Sequence, residues 1–267
     1  MKSKSPWLVK PHAGVHLARM ETSVHGAGTH EQATPLMDEH RERLAKFQEV
    51  LYAGQQRSVL IVLQGMDTAG KDGTISHIFS GINPQGCQVT SFKVPTALEA
   101  RHDFLWRCHA AVPPLGMIGI FNRSHYEAVL APRVHNLITT KIARRMMDEI
   151  NDFEQMLVAN GTIVLKFFLH ISKSEQKERL QARLDDPDKL WKFSAADLKE
   201  RAFWDDYQAA YEDLLARTSK KHAPWFVIPS DVKWSRNLAV SSVLLESLRR
   251  VKLEYPEPTV DPKTIKL

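Results

Sequence analysis

At 267 residues with 43% hydrophobic side chains, the chain can bury a substantial core, as one domain or as two. Lys and Arg number 36 against 31 Asp and Glu, a formal charge of +5 that suits an anionic ligand without requiring nucleic acid. No apolar run is long enough to span a membrane, no apolar segment follows the basic start, and Cys87 and Cys108 both sit in apolar surroundings. These features argue against a membrane protein and a disulfide scaffold, and the expectation is a soluble, cytoplasmic protein with reduced thiols.

Residues 1–34 carry Pro, Gly and four scattered histidines (His12, His16, His25, His30) with little periodicity, and read as an N-terminal arm. The histidines have no ligand spacing that would make a zinc site. Asp38 to Ala53 places Leu44, Phe47, Val50 and Leu51 on one face of a helix. Ser58 to Leu63 is a short apolar run rich in β-branched residues, the pattern of a strand buried on both faces. A glycine-bracketed turn follows, Gly65-Met-Asp67-Thr68-Ala69-Gly70-Lys71, and then a helix over Asp72 to Ile82 that includes Gly73. Strand, turn, Lys and helix in this order make a P-loop. Its backbone N–H groups point at one anion, the helix N-terminus adds its positive end, and Lys71 reaches the phosphate being transferred.

Further strands are predicted over Gln88 to Val94, Met117 to Phe121, Thr162 to Ile171 and Pro224 to Pro229. Helices are predicted over Ala97 to Ala110, from Ser124, over Thr139 to Asn160, from Ser172 to near Pro187, over Ala202 to Thr218, and over Asn237 to Glu254, with a Pro-rich tail from Tyr255. Alternation of this kind predicts an α/β fold: a five-stranded parallel sheet with helices on both faces and ligands at the carboxyl ends of the strands. The domain runs over 35–255, between the arm and a tail over 256–267.

Position 72 holds Asp where a standard P-loop has Ser or Thr, and Asp67 lies inside the loop. Two carboxylates beside a phosphate cradle repel the ligand unless a divalent ion lies between them, so the loop itself calls for Mg²⁺. The third strand ends in Asn122-Arg123, with Glu127 close behind. An acidic residue commonly holds the metal at this place, so Asp67, Asp72 or Glu127 must supply the charge Asn122 lacks. Arg123 is placed to fork onto phosphate oxygens, with a structural ion pair as the other reading. Arg107 suits either an acceptor phosphate or a core anchor, and His109 and His125 read as structural rather than as proton carriers. Lys177, Arg179 and Arg183, followed by Lys189, Lys192 and Arg201, make a cationic segment over about 179–202. It reads either as a lid over a transferring phosphoryl group or as a solvated charged helix. A guanine-reading Asn-Lys-x-Asp motif is absent, which disfavours a GTPase.

The segments GMDTAGKDGTI, FKVPT, FLWRCH, FNRSHYE, LKFFLHISKSEQKERLQARLDDPDKLWKFS and APWFVIPSD together resemble the polyphosphate kinase 2 family, over roughly Val9 to Tyr255. The resemblance implies a thymidylate-kinase-like P-loop fold that moves phosphoryl groups between inorganic polyphosphate and adenine or guanine nucleotides. It implies Mg²⁺, with Mn²⁺ as a substitute, and a homo-oligomer (dimer or tetramer), without nucleic-acid or membrane partners. By position, Lys71 looks like the P-loop Lys, Asp67 the metal-organising acid, Arg123 the phosphate-binding Arg and Arg183 the lid Arg. Lys189 and Lys192 then line a groove for a long polyanion. The metal set is Asp67, Asn122 and Glu127, and Arg107, Asn122 and Glu127 face the nucleotide. The family commonly has Asp where this chain has Asn122, and FNRSHYE with Glu127 is similar to the subgroup acting on both mono- and diphosphates. The alternatives are a nucleotide kinase that uses ATP and a non-catalytic polyanion-binding protein.

Overall fold

The computed structural model describes residues 5–24, 28–261 and 265; His25 and the last part of the predicted tail lie outside them. Five strands form one parallel sheet: β1 (Ser58–Gln64), β2 (Cys87–Ser91), β3 (Ile118–Asn122), β4 (Thr162–His170) and β5 (Trp225–Pro229), in the order β2-β3-β1-β4-β5. Every residue of β1 and β5 is buried, as expected for strands covered on both faces. β1 is central, flanked by β3 with Leu63 opposite Asn122 and by β4 with Gln64 opposite Phe168. This register brings the turn after β1 next to the end of β3.

Nine α-helices are described: α1 (His30–Gly54), α2 (Lys71–Ile78), α3 (Trp106–His109), α4 (Glu127–Val134), α5 (Thr140–Ala159), α6 (Lys173–Leu184), α7 (Ala195–Ala202), α8 (Trp204–Thr218) and α9 (Lys233–Leu248). α1 and α9 pack together, and α4, α5 and α8 pack against one another. No helix among the described residues is long and apolar enough to cross a membrane. Cys87 and Cys108 are free, and burial pushes their thiols up to about 11 and about 12, which keeps them protonated and inert.

Several boundaries differ from the sequence reading. α1 starts at His30, inside the expected arm, because Thr29 and Gln32 form a reciprocal capping box, and the helix carries Pro35 within it. α2 stops at Ile78 rather than Ile82, just ahead of Gly81 in a left-handed conformation (φ 85°). No single helix covers 97–110. Thr96 and Glu99 cap one short turn, the chain is extended at His102, and the Asp103 side chain accepts from Leu105 N to begin α3. β2 ends at Ser91 and not at Val94, and α9 is shifted toward the N-terminus, starting at Lys233 and ending at Leu248.

The described part of the arm is ordered against the free edge of β5. Leu8 bridges Phe226 antiparallel, Val9 N donates to Trp225 O (2.9 Å) and Val227 N donates to Trp7 O (2.9 Å). Further along, Leu17 N donates to Glu212, and Asp231 N to Thr22 O at 2.9 Å. Val9, Val15 and Leu17 are buried.

Behind the sheet lies a buried polar network. Lys166 Nζ donates to Glu154 Oε2 (2.5 Å), Tyr126 Oη (2.9 Å) and Thr218 O (2.7 Å), while Tyr126 Oη donates to Glu154 Oε1 (2.8 Å). His125 Nε2 lies 3.1 Å from the same Glu154 Oε1. Burial pulls the Lys166 ammonium down to about 8 even though Glu154 opposes it. Burial alone would raise the Glu154 carboxyl, but Lys166 and His125 hold it below its ordinary value.

Candidate active site

The turn between β1 and α2 is built on unusual backbone. Gly65 (φ 152°) and Gly70 (φ 104°) adopt conformations open to glycine, and Thr68 (φ 64°) is left-handed despite its branched side chain. A Cβ on Gly65 would lie 2.7 Å from Leu169 O, and one on Gly70 would lie 1.9 Å from Arg236 Nη1. Arg123, just past β3, is also left-handed (φ 61°), while its N–H still donates to Leu63 O (3.1 Å). Left-handed non-glycine residues cost about 1–3 kcal/mol each and persist where the surroundings over-determine them. Two lie at this site, Thr68 in the turn and Arg123 paired with the adjacent Asp67.

Lys71 opens α2, is 9% exposed, and folds back so that Nζ donates to Gly65 O (2.8 Å) and Met66 O (3.3 Å). Burial and then Arg123 lower its pKa, opposed by Asp67, Glu127 and Asp72. Asp67 accepts from Arg123 Nη2 at 2.8 Å. Burial works against the Arg123 cation, but Glu127 and Asp67 outweigh it and hold its pKa above the ordinary value. The Glu127 carboxyl is raised by burial, opposed by Arg123 and Lys71. Asn122 Nδ2 donates to Asp72 Oδ1 (2.6 Å), which ties the end of β3 to the first turn of α2. Lys71, Asp67, Asp72, Arg123 and Glu127 therefore form one electrostatic cluster, with Asn122 at its edge.

The cationic segment reaches this cluster through Gln176 of α6 and Asp197 of α7. Arg183 Nη1 donates to Lys192 O (3.4 Å) and lies 3.5 Å from Asp197 Oδ2. Burial raises the Asp197 carboxyl, and Asp67 adds to the effect. Lys189 pairs with Asp186, and Lys192 Nζ lies 5.0 Å from the ring of the largely exposed Trp191. Arg201 holds α7 to α6 through Gln176 Oε1 (2.6 Å), and Gln176 in turn donates to Asp67 O (3.1 Å). Arg107 lies apart from the cluster. It donates to Lys93 O (2.8 Å), lies 3.8 Å from Glu99 and covers the Phe92 ring, the geometry of an anchor for the segment after β2. His125 is sealed in the network on Glu154, and His109 packs edge-on against Phe153.

Two arginines hold the loop from behind: Arg179, which the sequence reading grouped with the cationic lid segment, and Arg236, which it did not name. Arg179 Nη1 donates to Thr68 O (2.9 Å) and Ala69 O (3.3 Å), and its Nη2 to Ser230 O and Asp231 O. Arg236 Nη1 donates to the same Ala69 O (3.2 Å) from α9. The i,i+4 spacing of Arg179 and Arg183 marked a cationic face. Only the tertiary fold separates their directions, one under the loop and one toward the lid.

A metal fits this set of donors only if a ligand completes the site. Asp67, Asp72 and Glu127 offer hard oxygens, but no group of three or more His, Cys, Asp or Glu among the described residues is placed to hold an ion unaided. Magnesium is characteristically held by one or two carboxylates together with substrate phosphates, and the donors meet that requirement.

The polyphosphate kinase 2 family profile matches residues 28–256. The chain belongs to the polyphosphate kinase 2 family. An AMP/ADP-polyphosphate phosphotransferase of Meiothermus ruber is 53% identical over 216 residues, covering 81% of each chain. An ADP-polyphosphate phosphotransferase of Rhodopseudomonas palustris is 50% identical over 230 residues, covering 82% of this chain and 80% of its own. The crystal structure of polyphosphate kinase 2 from Arthrobacter aurescens TC1 superposes with a TM-score of 0.93 at 43% identity, covering 97% of this chain and 94% of that one. The fold is thus that of an α/β P-loop kinase, as the strand and helix pattern implied. As a polyphosphate kinase 2, the chain is a phosphotransferase enzyme.

Proposed function

We propose that the chain transfers a phosphoryl group from inorganic polyphosphate to AMP and ADP, and catalyses the reverse. The observation that carries this reading is the convergence of Lys71 and Arg123 on a strained glycine turn lined by Asp67 and Asp72. In the forward reaction an oxygen of the nucleotide's terminal phosphate attacks the end phosphorus of polyphosphate in line. One P–O bond forms, one phosphoanhydride bond breaks, and the shortened polyphosphate leaves with the electron pair. The attacking oxygen is already ionised near neutral pH, so no general base is needed, consistent with the structural roles of His109 and His125.

The barrier is then mostly repulsion and alignment. Two unit charges 4 Å apart cost about 4 kcal/mol at an effective dielectric of 20, and a pair of phosphates carries several such terms. Lys71 and Arg123 offset that repulsion, the backbone N–H groups of the turn orient the anion, and Arg183 with Lys189 and Lys192 extends the positive lining along the lid. Mg²⁺, or Mn²⁺ in its place, would be held by Asp67 and Asp72 together with phosphate oxygens, with Glu127 and Asn122 at its border, and would neutralise phosphate charge. We further propose that the substrates are free polyphosphate and nucleotides rather than nucleic acid, that the chain acts in the cytoplasm, and that it assembles as a dimer or tetramer. Light scattering on the purified protein tests the assembly.

The deciding assay offers AMP, ADP, GMP and GDP separately with polyphosphate and Mg²⁺ in the absence of ATP. ADP from AMP and ATP from ADP support the proposal, whereas turnover only with ATP as donor would sink it. In the same assay Lys71→Ala and Asp67→Asn are each expected to lower kcat by ~100-fold or more. Unchanged turnover would remove those residues from the site.

A further inference from the structure

Arg236 is 3% exposed and its guanidinium lies directly behind the P-loop. Nη1 donates to Ala69 O (3.2 Å), and Nε and Nη2 donate to Asn237 Oδ1 (3.1 and 2.9 Å). The space that a Cβ on Gly70 would fill is taken by Nη1, and Nη2 lies 3.5 Å from the corresponding point on Gly73. Its neighbour Arg179 has Glu175 as a partner at 2.8 Å, but every bond that Arg236 makes among the described residues goes to a neutral oxygen. Burial and the nearby Arg179 cation together lower its pKa to about 10, so the cation is held at a cost the fold does not offset locally. It also lies beside the N-terminus of α2, which is itself the positive end of a helix dipole.

We propose that Arg236 is a positioning residue of the phosphate cradle, whose buried unpaired charge and grip on Ala69 O prepare the loop for an anion. Two effects reach the substrate. Ala69 O is gripped by Arg179 and Arg236 together, and a trans peptide places the following N–H opposite its C=O, so the Gly70 N–H is fixed pointing away from the two guanidiniums. The uncompensated charge also adds positive potential through the thin glycine backbone to a phosphate on the far side. The empty loop is thereby electrostatically strained, and polyanion binding relieves the strain.

The inference rests on polyphosphate being the ligand of the loop, and the test keeps the two readings apart. Tripolyphosphate and long polyphosphate affinities, together with the rise in melting temperature each produces, are measured for wild type, Arg236→Lys and Arg236→Gln. Gln keeps a donor for Ala69 O without the charge. A unit charge about 8–10 Å from an anion at an effective dielectric of 20 changes affinity by about 15–30-fold. Arg236→Gln is therefore expected to bind polyphosphate about 15–30-fold more weakly. Its ligand-free melting temperature should be equal to or above that of wild type, and its polyphosphate-induced rise smaller. Arg236→Lys should stay within about threefold of wild-type affinity. A purely structural Arg236 predicts the opposite pattern: a lower ligand-free melting temperature with an undiminished ligand response, and that result overturns the inference. Equal losses in Lys and Gln variants also overturn it. Should the Gln variant not fold, the Lys variant decides alone, since a loss of tenfold or more in a folded protein that keeps the charge is incompatible with the proposal. Failure of the wild type itself to bind polyphosphate overturns the functional reading as well.

Discussion

Single residues in this fold show how a local rule yields to its tertiary setting. Lys166 is a charged residue in the middle of a buried strand, a placement tolerated because Glu154, Tyr126 and Thr218 satisfy its ammonium completely. Removing one partner is far more damaging than removing both, because the survivor is left as an uncompensated buried charge. Glu154→Gln is expected to destabilise the protein by about 3–5 kcal/mol, and pairing it with Lys166→Met should recover a large part of that loss, as read by urea unfolding. The network also has a pH signature. The folded-state pKa of Lys166, about 8, lies below its ordinary 10.5, so between these values the unfolded chain binds more protons than the folded one. The resulting cost is complete below about pH 8 and is relieved as pH rises toward 10.5. The stability of wild type minus that of the Glu154→Gln/Lys166→Met variant should therefore increase from pH 8 to pH 10. A constant difference would show that the network is not titrating there.

At the level of elements, the parts whose pattern is set by burial were readable and the parts set by competing caps were not. β1, β4 and β5 stand out as apolar runs because both faces of the sheet are covered, and the turn after β1 declares itself through Gly65 and Gly70. The stretch 97–110 has helix-forming composition, yet Thr96 and Asp103 offer rival starts, and side-chain capping divides it into two short turns. α1 was read as starting too late because the residues up to 34 show little periodicity, while the capping box of Thr29 and Gln32 sets its start at His30. The cationic segment was legible as charge but not as geometry: composition does not say that Arg183 meets Asp197, or that Arg201 ties α7 to α6. This arrangement predicts an asymmetric effect of Arg183→Ala. It should raise the apparent KM for long polyphosphate several-fold more than that for AMP or ADP if the cationic segment is the proposed polyanion groove, because the residue lies on that segment and outside the loop. Equal rises in both KM values would argue that the lid does not form the polyanion groove.

Across the whole molecule, the sequence reading and the structure diverge most at the N-terminus, where lack of periodicity suggested a loose arm. Period reports a face that repeats, and a segment that buries single residues against a sheet edge has no such face to report. Trp7 and Val9 continue the backbone pairing beyond β5, Leu17 is held by both Glu212 and His170, and Thr22 O accepts from Asp231 N. Asp231 in turn passes its carbonyl to Arg179, whose guanidinium grips Thr68 O and Ala69 O, so a continuous set of hydrogen bonds joins the arm to the P-loop. Deleting residues 1–24 would uncover the β5 edge and the buried contacts of Val9, Val15 and Leu17. At roughly 1.5–3 kcal/mol for each fully buried aliphatic side chain, the truncated protein should lose about 4 kcal/mol or more of stability and associate through the unpaired edge. Calorimetry and light scattering measure the two effects. If the truncated protein melts like the full chain and stays unaggregated, the arm is an ornament on the edge rather than its closing element.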